Sequence, residues 1–321
     1  MNSKRRAATT IVAGLAACLS APVQAAETDR VILKPASPWQ LDMADNKCRI
    51  ARLFGSADNP DLFLLEQWAP SSLADWRAAG PSLAEFSLPG GISYSFGAAG
   101  DKGQFDAADA SLGEYGKVVG GKSPLIPSEE PIFNVELGRP SEEARDAREA
   151  DSAREERTVP GSLGLDSDAA ASVTSLELSQ DDLAPVVFEL GSMKAPMAAM
   201  NTCMDDLVRH WGLDVAEQKS VAVPAKLSNI AAIARQVQRI YPRKALVKGS
   251  QANFVIRTII SASGEIEECT LLNTTVADGF DAKKNACTVI QSMGKAEPAK
   301  TAEDKPIKSY IVTGLMYRIP G

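Results

Sequence analysis

The chain is predicted to fold as an α+β protein, on three observations. Short apolar runs separated by Gly and Pro clusters fill much of the first half. A charged, alanine-rich run interrupts them. From Leu227 onward the chain reads helix, strand, strand, helix, strand.

The first element is an export signal. Met1-Asn2-Ser3-Lys4-Arg5-Arg6 is basic, Ala7 to about Ala17 is mostly apolar, and small residues follow before Glu27. Val23-Gln24-Ala25 fits a cleavage site, which makes residues 1–25 a signal peptide and Ala26 the first mature residue. Leu15-Ala16-Ala17-Cys18 also fits a lipobox, in which Cys18 would be acylated, so cleaved and lipid-anchored forms both stand open, with an uncleaved anchor as a third. Each main reading places the mature protein in the periplasm.

Residues 26–138 read as an acidic, β-rich unit. Apolar runs at Ile50 to Phe54, Leu62 to Trp68, Leu83 to Leu88 and Ile132 to Leu137 are its expected strands. Residues 139–171 read as a charged linker or solvated helix. The only apolar residues of Pro140 to Arg157 are alanines, which cover little core. Residues 172–219 complete the first unit, with strands at Val173 to Leu178 and Val186 to Leu190. A helix then runs from about Pro196 to Trp211 and stops at Gly212. Met197, Met200, Met204, Leu207 and Trp211 form one apolar stripe, read as core.

Residues 226–321 form the last unit. Ser228 or Asn229 caps a helix with Ile230, Ile233, Val237 and Ile240 on one face, and Tyr241-Pro242 ends it. Phe254 to Ile260 is a strand, Ser263-Gly264 a turn and Glu265 to Thr275 the return strand. Phe280 to Met293 is amphipathic, and Lys308 to Ile319 is the last strand.

Charge divides the chain. Residues 226–321 carry 14 Lys/Arg and 8 Asp/Glu, a net of +6, whereas residues 26–225 carry 17 against 33, a net of -16. The basic unit is suited to acidic segments, its own first half included, and nucleic acid is not an expected partner. Simple cleavage leaves four cysteines, an even number in an oxidising compartment. Three pairings are open. Cys269–Cys287 is favoured, because its strand and helix should pack together, with Cys48–Cys203 as the complement. The first would stabilise by about 3 kcal/mol.

Motifs that suggest chemistry are weak. Gly116 to Ser123 matches a P-loop letter for letter, but Pro124 and Pro127 stand where its helix should run, so a Gly-rich surface loop is expected. Cys203, Asp206 and His210 share a helical face at zinc-like spacing, against which stands a disulfide at Cys203, and no metal site is assigned. His210 is the only histidine, no G-x-S-x-G elbow exists, and Glu129-Glu130 and Glu267-Glu268 are sequence neighbours that point to opposite faces of a strand. No catalytic residues and no cofactor are expected.

Tyr241-Pro242, Gly249, Phe254-Val255-Ile256, Gly264, Phe280-Asp281 and Pro298-Ala299 follow, in order and spacing, the pattern of a TonB C-terminal domain. The last unit therefore resembles that family. The resemblance implies a three-stranded antiparallel sheet with two helices on one face. It also implies binding of outer-membrane receptor segments, or other envelope proteins, by pairing them with an exposed sheet edge. Tyr241 and Pro242 match the family's YP position, which is associated with receptor contact. Tyr310, Val312, Thr313 and Met316 lie on the expected edge strand, which also offers a route to a homodimer. The chain departs from the family's transducers in two ways. His210 lies outside any membrane segment, and an acidic, foldable region stands where those proteins have a Pro-rich spacer. The resemblance thus extends to the recognition module and not to the motor connection.

Overall fold

The computed structural model describes residues 30–86, 91–98, 100–105, 111–126, 164–250, 252–272, 280 and 286–317. The signal peptide, Cys18, the Ile132 to Leu137 run and most of the charged linker lie outside them. The described chain is a sheet-rich α+β fold.

The first unit is built from strands β1 (Val31–Leu33), β2 (Gln40–Ala44), β3 (Lys47–Gly55), β4 (Pro60–Gln67), β5 (Ala74–Ala79), β6 (Ile92–Ser95), β7 (Lys102–Phe105), β8 (Val118–Ser123), β9 (Leu176–Ser179) and β10 (Val186–Phe188). They form two five-stranded sheets, ordered β1-β10-β9-β6-β7 and β2-β3-β4-β5-β8. The sheets join where Gly55 N–H donates to Lys34 O and Ala36 N–H to Leu53 O, and again where Asp101 N–H donates to Leu125 O. Between them lies an aromatic core. Phe63 meets Phe188 at 6.3 Å and Phe96 at 6.4 Å, Trp76 meets Tyr94 at 5.2 Å, and Phe54 meets Phe188 at 5.3 Å. Such tilted and edge-on pairs suit the ring quadrupole.

Two sequence expectations are corrected here. Leu83 to Phe86 does not form the expected strand: Pro81–Leu83 is a 3-10 turn that buries Leu83, Phe86 is buried just beyond it, and Ser87 and Leu88 lie outside the described residues. The Gly-rich stretch is not a surface loop, because Val118–Ser123 is β8 and pairs with all of β5. A Cβ at Gly120 would lie 2.2 Å from Trp76 O, and one at Gly121 would touch the Trp76 indole at 3.6 Å. At Gly120 the close backbone approach leaves no room for a side chain, whereas the contact at Gly121 is an ordinary one.

Helix α1 (Lys194–His210) packs on the core side of β3, where Cys48, Ile50 and Phe54 alternate inward. The Cys203–Cys48 disulfide ties the two. The expected stripe of Met197, Met200, Met204, Leu207 and Trp211 is buried throughout. Gly212, at φ 73°, ends the helix.

Helix α2 (Val215–Lys219), capped by the Asp214 carboxylate, leads to β11 (Val221–Val223) and β12 (Lys226–Leu227). Then come α3 (Ile230–Arg239), α4 (Arg243–Lys248), β13 (Ala252–Ile260), β14 (Ile266–Leu271), α5 (Ala286–Met293), β15 (Ala296–Glu297), β16 (Ala299–Thr301), β17 (Pro306–Ile307) and β18 (Ser309–Tyr317). The main sheet has the order β14-β13-β18 and is antiparallel. Ile233, Val237, Val289 and Ile290 from α3 and α5 pack with Phe254, Ile256 and Ile260 on one of its faces. The Cys269–Cys287 disulfide joins β14 to α5. Asn229 is the residue before α3, as expected, but its amide does not cap the helix. It donates to Met293 O and accepts from Lys295 N–H, tying α3 to the end of α5.

Candidate functional site: the last strand of the C-terminal sheet

Strand β18 has nine residues, and it pairs with β13 from Ser309↔Ile260 to Tyr317↔Ala252. Among the described residues no strand pairs with its other edge. Alternation along both strands decides what the sheet offers. Phe254, Ile256, Ile260 and Ile311 point to the helices. Val255, Ile259, Tyr310 and Val312 point the other way and join the core of the first unit.

Trp211 is the centre of that second contact. Its ring meets Tyr310 edge-on at 5.1 Å, and the Arg257 guanidinium lies 4.7 Å over it. Arg257 is buried on β13 and donates to Glu268 Oε1 at 2.9 Å. Its Nε and Nη1, with Trp211 Nε1, have no hydrogen-bond partner among the described residues, so the aromatic face carries part of the stabilisation of this cation. The Glu268 carboxyl is held below its usual range by its hydrogen bonds with Thr270 and Arg257, and burial pushes the Tyr310 hydroxyl up. Next to the rings, buried Gln218 from α2 donates to Lys308 O at 2.8 Å and accepts from Ser309 Oγ at 2.7 Å. One ion pair crosses between the units among the described residues, Lys305–Glu217 at 3.8 Å, and both partners are exposed. An exposed pair contributes little. The seam is therefore held by aromatic and apolar packing around one buried guanidinium and by the Gln218 hydrogen bonds, and not by ion pairing between two halves of opposite charge.

This placement sorts the residues singled out from sequence. Tyr310, Val312, Thr313 and Met316 do lie together on β18. Tyr310 is 1% exposed and Val312 8%, both against the first unit, so their side chains do not face an open surface. Thr313 is buried on the sheet, opposite Ile256, and Met316 stands opposite Asn253 in the ladder. Tyr241 and Pro242 lie elsewhere, at the corner between α3 and α4. The Tyr241 hydroxyl donates to Ser250 O at 2.6 Å, and its ring rests 5.6 Å from Phe280, which meets Phe254 at 5.8 Å. Pro242 precedes α4 with φ -64°, as proline requires.

Sequence reasoning missed Trp211, Gln218, Arg257 and Ser309 as seam residues. Trp211 was legible as core, but not which core. Cys203 sulfur is committed to its disulfide and cannot serve as a metal ligand with Asp206 and His210. No trio of His, Cys, Asp or Glu placed to hold a metal ion occurs among the described residues. Comparison of the chain with protein-family models, with curated proteins and with solved structures gives no match.

Proposed function

We propose that this is an exported, periplasmic protein, without enzymatic activity, whose TonB-like C-terminal domain binds envelope partners by β-strand addition. Segments of outer-membrane receptors are the first partners to test, in connection with transport across the outer membrane. The observation that carries the reading is the position of β18, a nine-residue strand at the edge of its sheet whose two faces are covered at Tyr310, Ile311 and Val312. What such a sheet offers a partner is its backbone, and backbone pairing is the basis of strand addition. Two disulfides fit an oxidising compartment. No helix among the described residues is long and apolar enough to cross a membrane.

The test uses the oxidised chain of residues 26–321. Synthetic decapeptides from the N-terminal segments of outer-membrane receptors are titrated against it, and amide hydrogen exchange is followed. Saturable binding with slowed exchange within Val312 to Met316 is expected. Methylating two backbone nitrogens that pair with the strand should weaken binding about 30-fold, at about 1 kcal/mol per hydrogen bond. Failure of every peptide to bind, or protection confined to other strands, sinks the proposal. A concentration-dependent dimer protected at the same amides would replace the receptor segment with a second copy of the chain.

A further inference from the structure

The corner between α3 and α4 carries a surface that strand addition does not use. Helix α4 reads Arg-Lys-Ala-Leu-Val-Lys and buries only Ala245. Val247 is 87% exposed, Leu246 48% and the preceding Ile240 38%. These are three of the nine exposed large apolar side chains among the described residues, gathered within eight positions.

Cations surround them. Residues 226–250 contain six Lys/Arg and no Asp or Glu. Arg235 and Arg239, one turn apart on α3, are exposed, as are Arg243 and Lys244 at the start of α4. None of these four is in an ion pair among the described residues, whereas Lys226 is paired with Glu297. The apolar side chains stand out from a helix end and are not sunk in a groove, and long cationic side chains flank them. A rigid protein pocket is not needed to receive such a surface. A fluid, negatively charged interface fits it, with the aliphatic tips entering the acyl boundary and the cations meeting phosphates.

We propose that the α3–α4 corner docks on anionic phospholipid, through Arg239, Arg243 and Lys244 with Ile240, Leu246 and Val247. The test is co-sedimentation of the oxidised full chain with vesicles of phosphatidylcholine containing about one third phosphatidylglycerol, against pure phosphatidylcholine. Binding to the anionic vesicles alone, weakening as salt rises, is expected. Each neutralised cation should lower partitioning about fivefold, so Arg243→Gln with Lys244→Gln should lower it about 30-fold. Val247→Ser with Leu246→Ser should also reduce it. Both pairs lie on exposed positions, and an unchanged circular dichroism spectrum confirms their fold. Equal binding to both vesicle types, or partitioning unchanged in both double variants, overturns the proposal. So does binding of polyglutamate, with no vesicle binding, at this corner, since that would assign the surface to an acidic protein partner. The outcome is independent of whether any peptide pairs with β18.

Discussion

Tyr310 gives the sharpest test, because sequence and structure assign it different work. On sequence it stands on the partner-binding strand. In the fold its ring is 1% exposed and sits edge-on to Trp211 at 5.1 Å. Truncating a fully buried large aromatic side chain costs about 3–5 kcal/mol. At a urea m-value of about 3 kcal/mol/M, a cost of about 4 kcal/mol moves the unfolding midpoint down by more than ~1 M. Trp211→Ala should cost a similar amount. The two losses should not add: the pair interacts beyond its area by about 1 kcal/mol, and the double variant should recover that much. The assay is urea unfolding of the oxidised chain, followed by far-UV circular dichroism for all four forms. A partner-facing Tyr310 would leave the midpoint within about 0.2 M while weakening peptide binding, and that result would refute the burial. Additivity within about 0.3 kcal/mol would refute the contact with Trp211.

Two further predictions concern stability. Cys48–Cys203 spans 155 positions and Cys269–Cys287 spans 18. On the chain-entropy model their removal by paired Cys→Ala changes costs about 5 and about 3 kcal/mol, so the midpoints should fall in that order and a reversed order would count against the model. Glu66 is mostly buried. Burial alone would push its carboxyl up, but hydrogen bonds from Lys47 at 2.7 Å and Arg49 at 2.8 Å outweigh that and hold it below its usual value. A depressed carboxyl contributes stability above its unfolded pKa of about 4.3, and that contribution is lost as pH falls through the still lower folded value. Glu66→Gln should therefore cost about 2 kcal/mol at pH 7 and less as pH falls toward 3, measured by denaturant midpoints across that range. An equal cost at both ends would show that charge is not what Glu66 contributes.

Much of the C-terminal unit was legible because its signals are local. Phe254 to Ile260 is a run of branched and aromatic residues bounded by turn chemistry, and it is buried on both faces, as such runs are. The stripe from Met197 to Trp211 has helical period and a glycine stop. The Cys269–Cys287 disulfide follows from a strand and a helix that should pack, and Cys48–Cys203 is then the remaining pair; both are formed. Illegible elements were those whose reason lies in a distant residue. Strand β8 has Gly120 because the Trp76 carbonyl oxygen and Arg77 on the neighbouring strand close the space a Cβ would need, and without those neighbours the glycines read as a loop. Gln218 lies between Glu217 and Lys219, which marks it as surface, yet it is 5% exposed because Lys308 and Ser309 come to meet it. The seam was missed for the same reason. Strand β18 alternates apolar residues on both faces, which says that two surfaces cover it but not that one of them comes from some hundred residues earlier in the chain.

That second cover limits what the C-terminal unit can offer in the proposed binding. A sheet can offer a partner two faces and its edges. Here α3 and α5 occupy one face, and the other is closed by Trp211 with Tyr310, Val312 and Ile259 in one continuous core. A fragment of residues 226–321 would expose those side chains and the Arg257 guanidinium together, so the fragment offers a partner the place that Trp211 fills in the whole chain. Binding measured on the whole chain is free of that substitution. At Tyr310, Ile311 and Val312 the side chains on both faces of β18 already have neighbours and are not free to select a partner. In the proposed strand pairing, selectivity would rest on what flanks the strand, and the same unit carries the cationic, apolar corner at α3 and α4. Strand pairing with no sequence preference and a corner that sets location are consistent with each other, since the first needs only backbone and the second only charge and aliphatic surface.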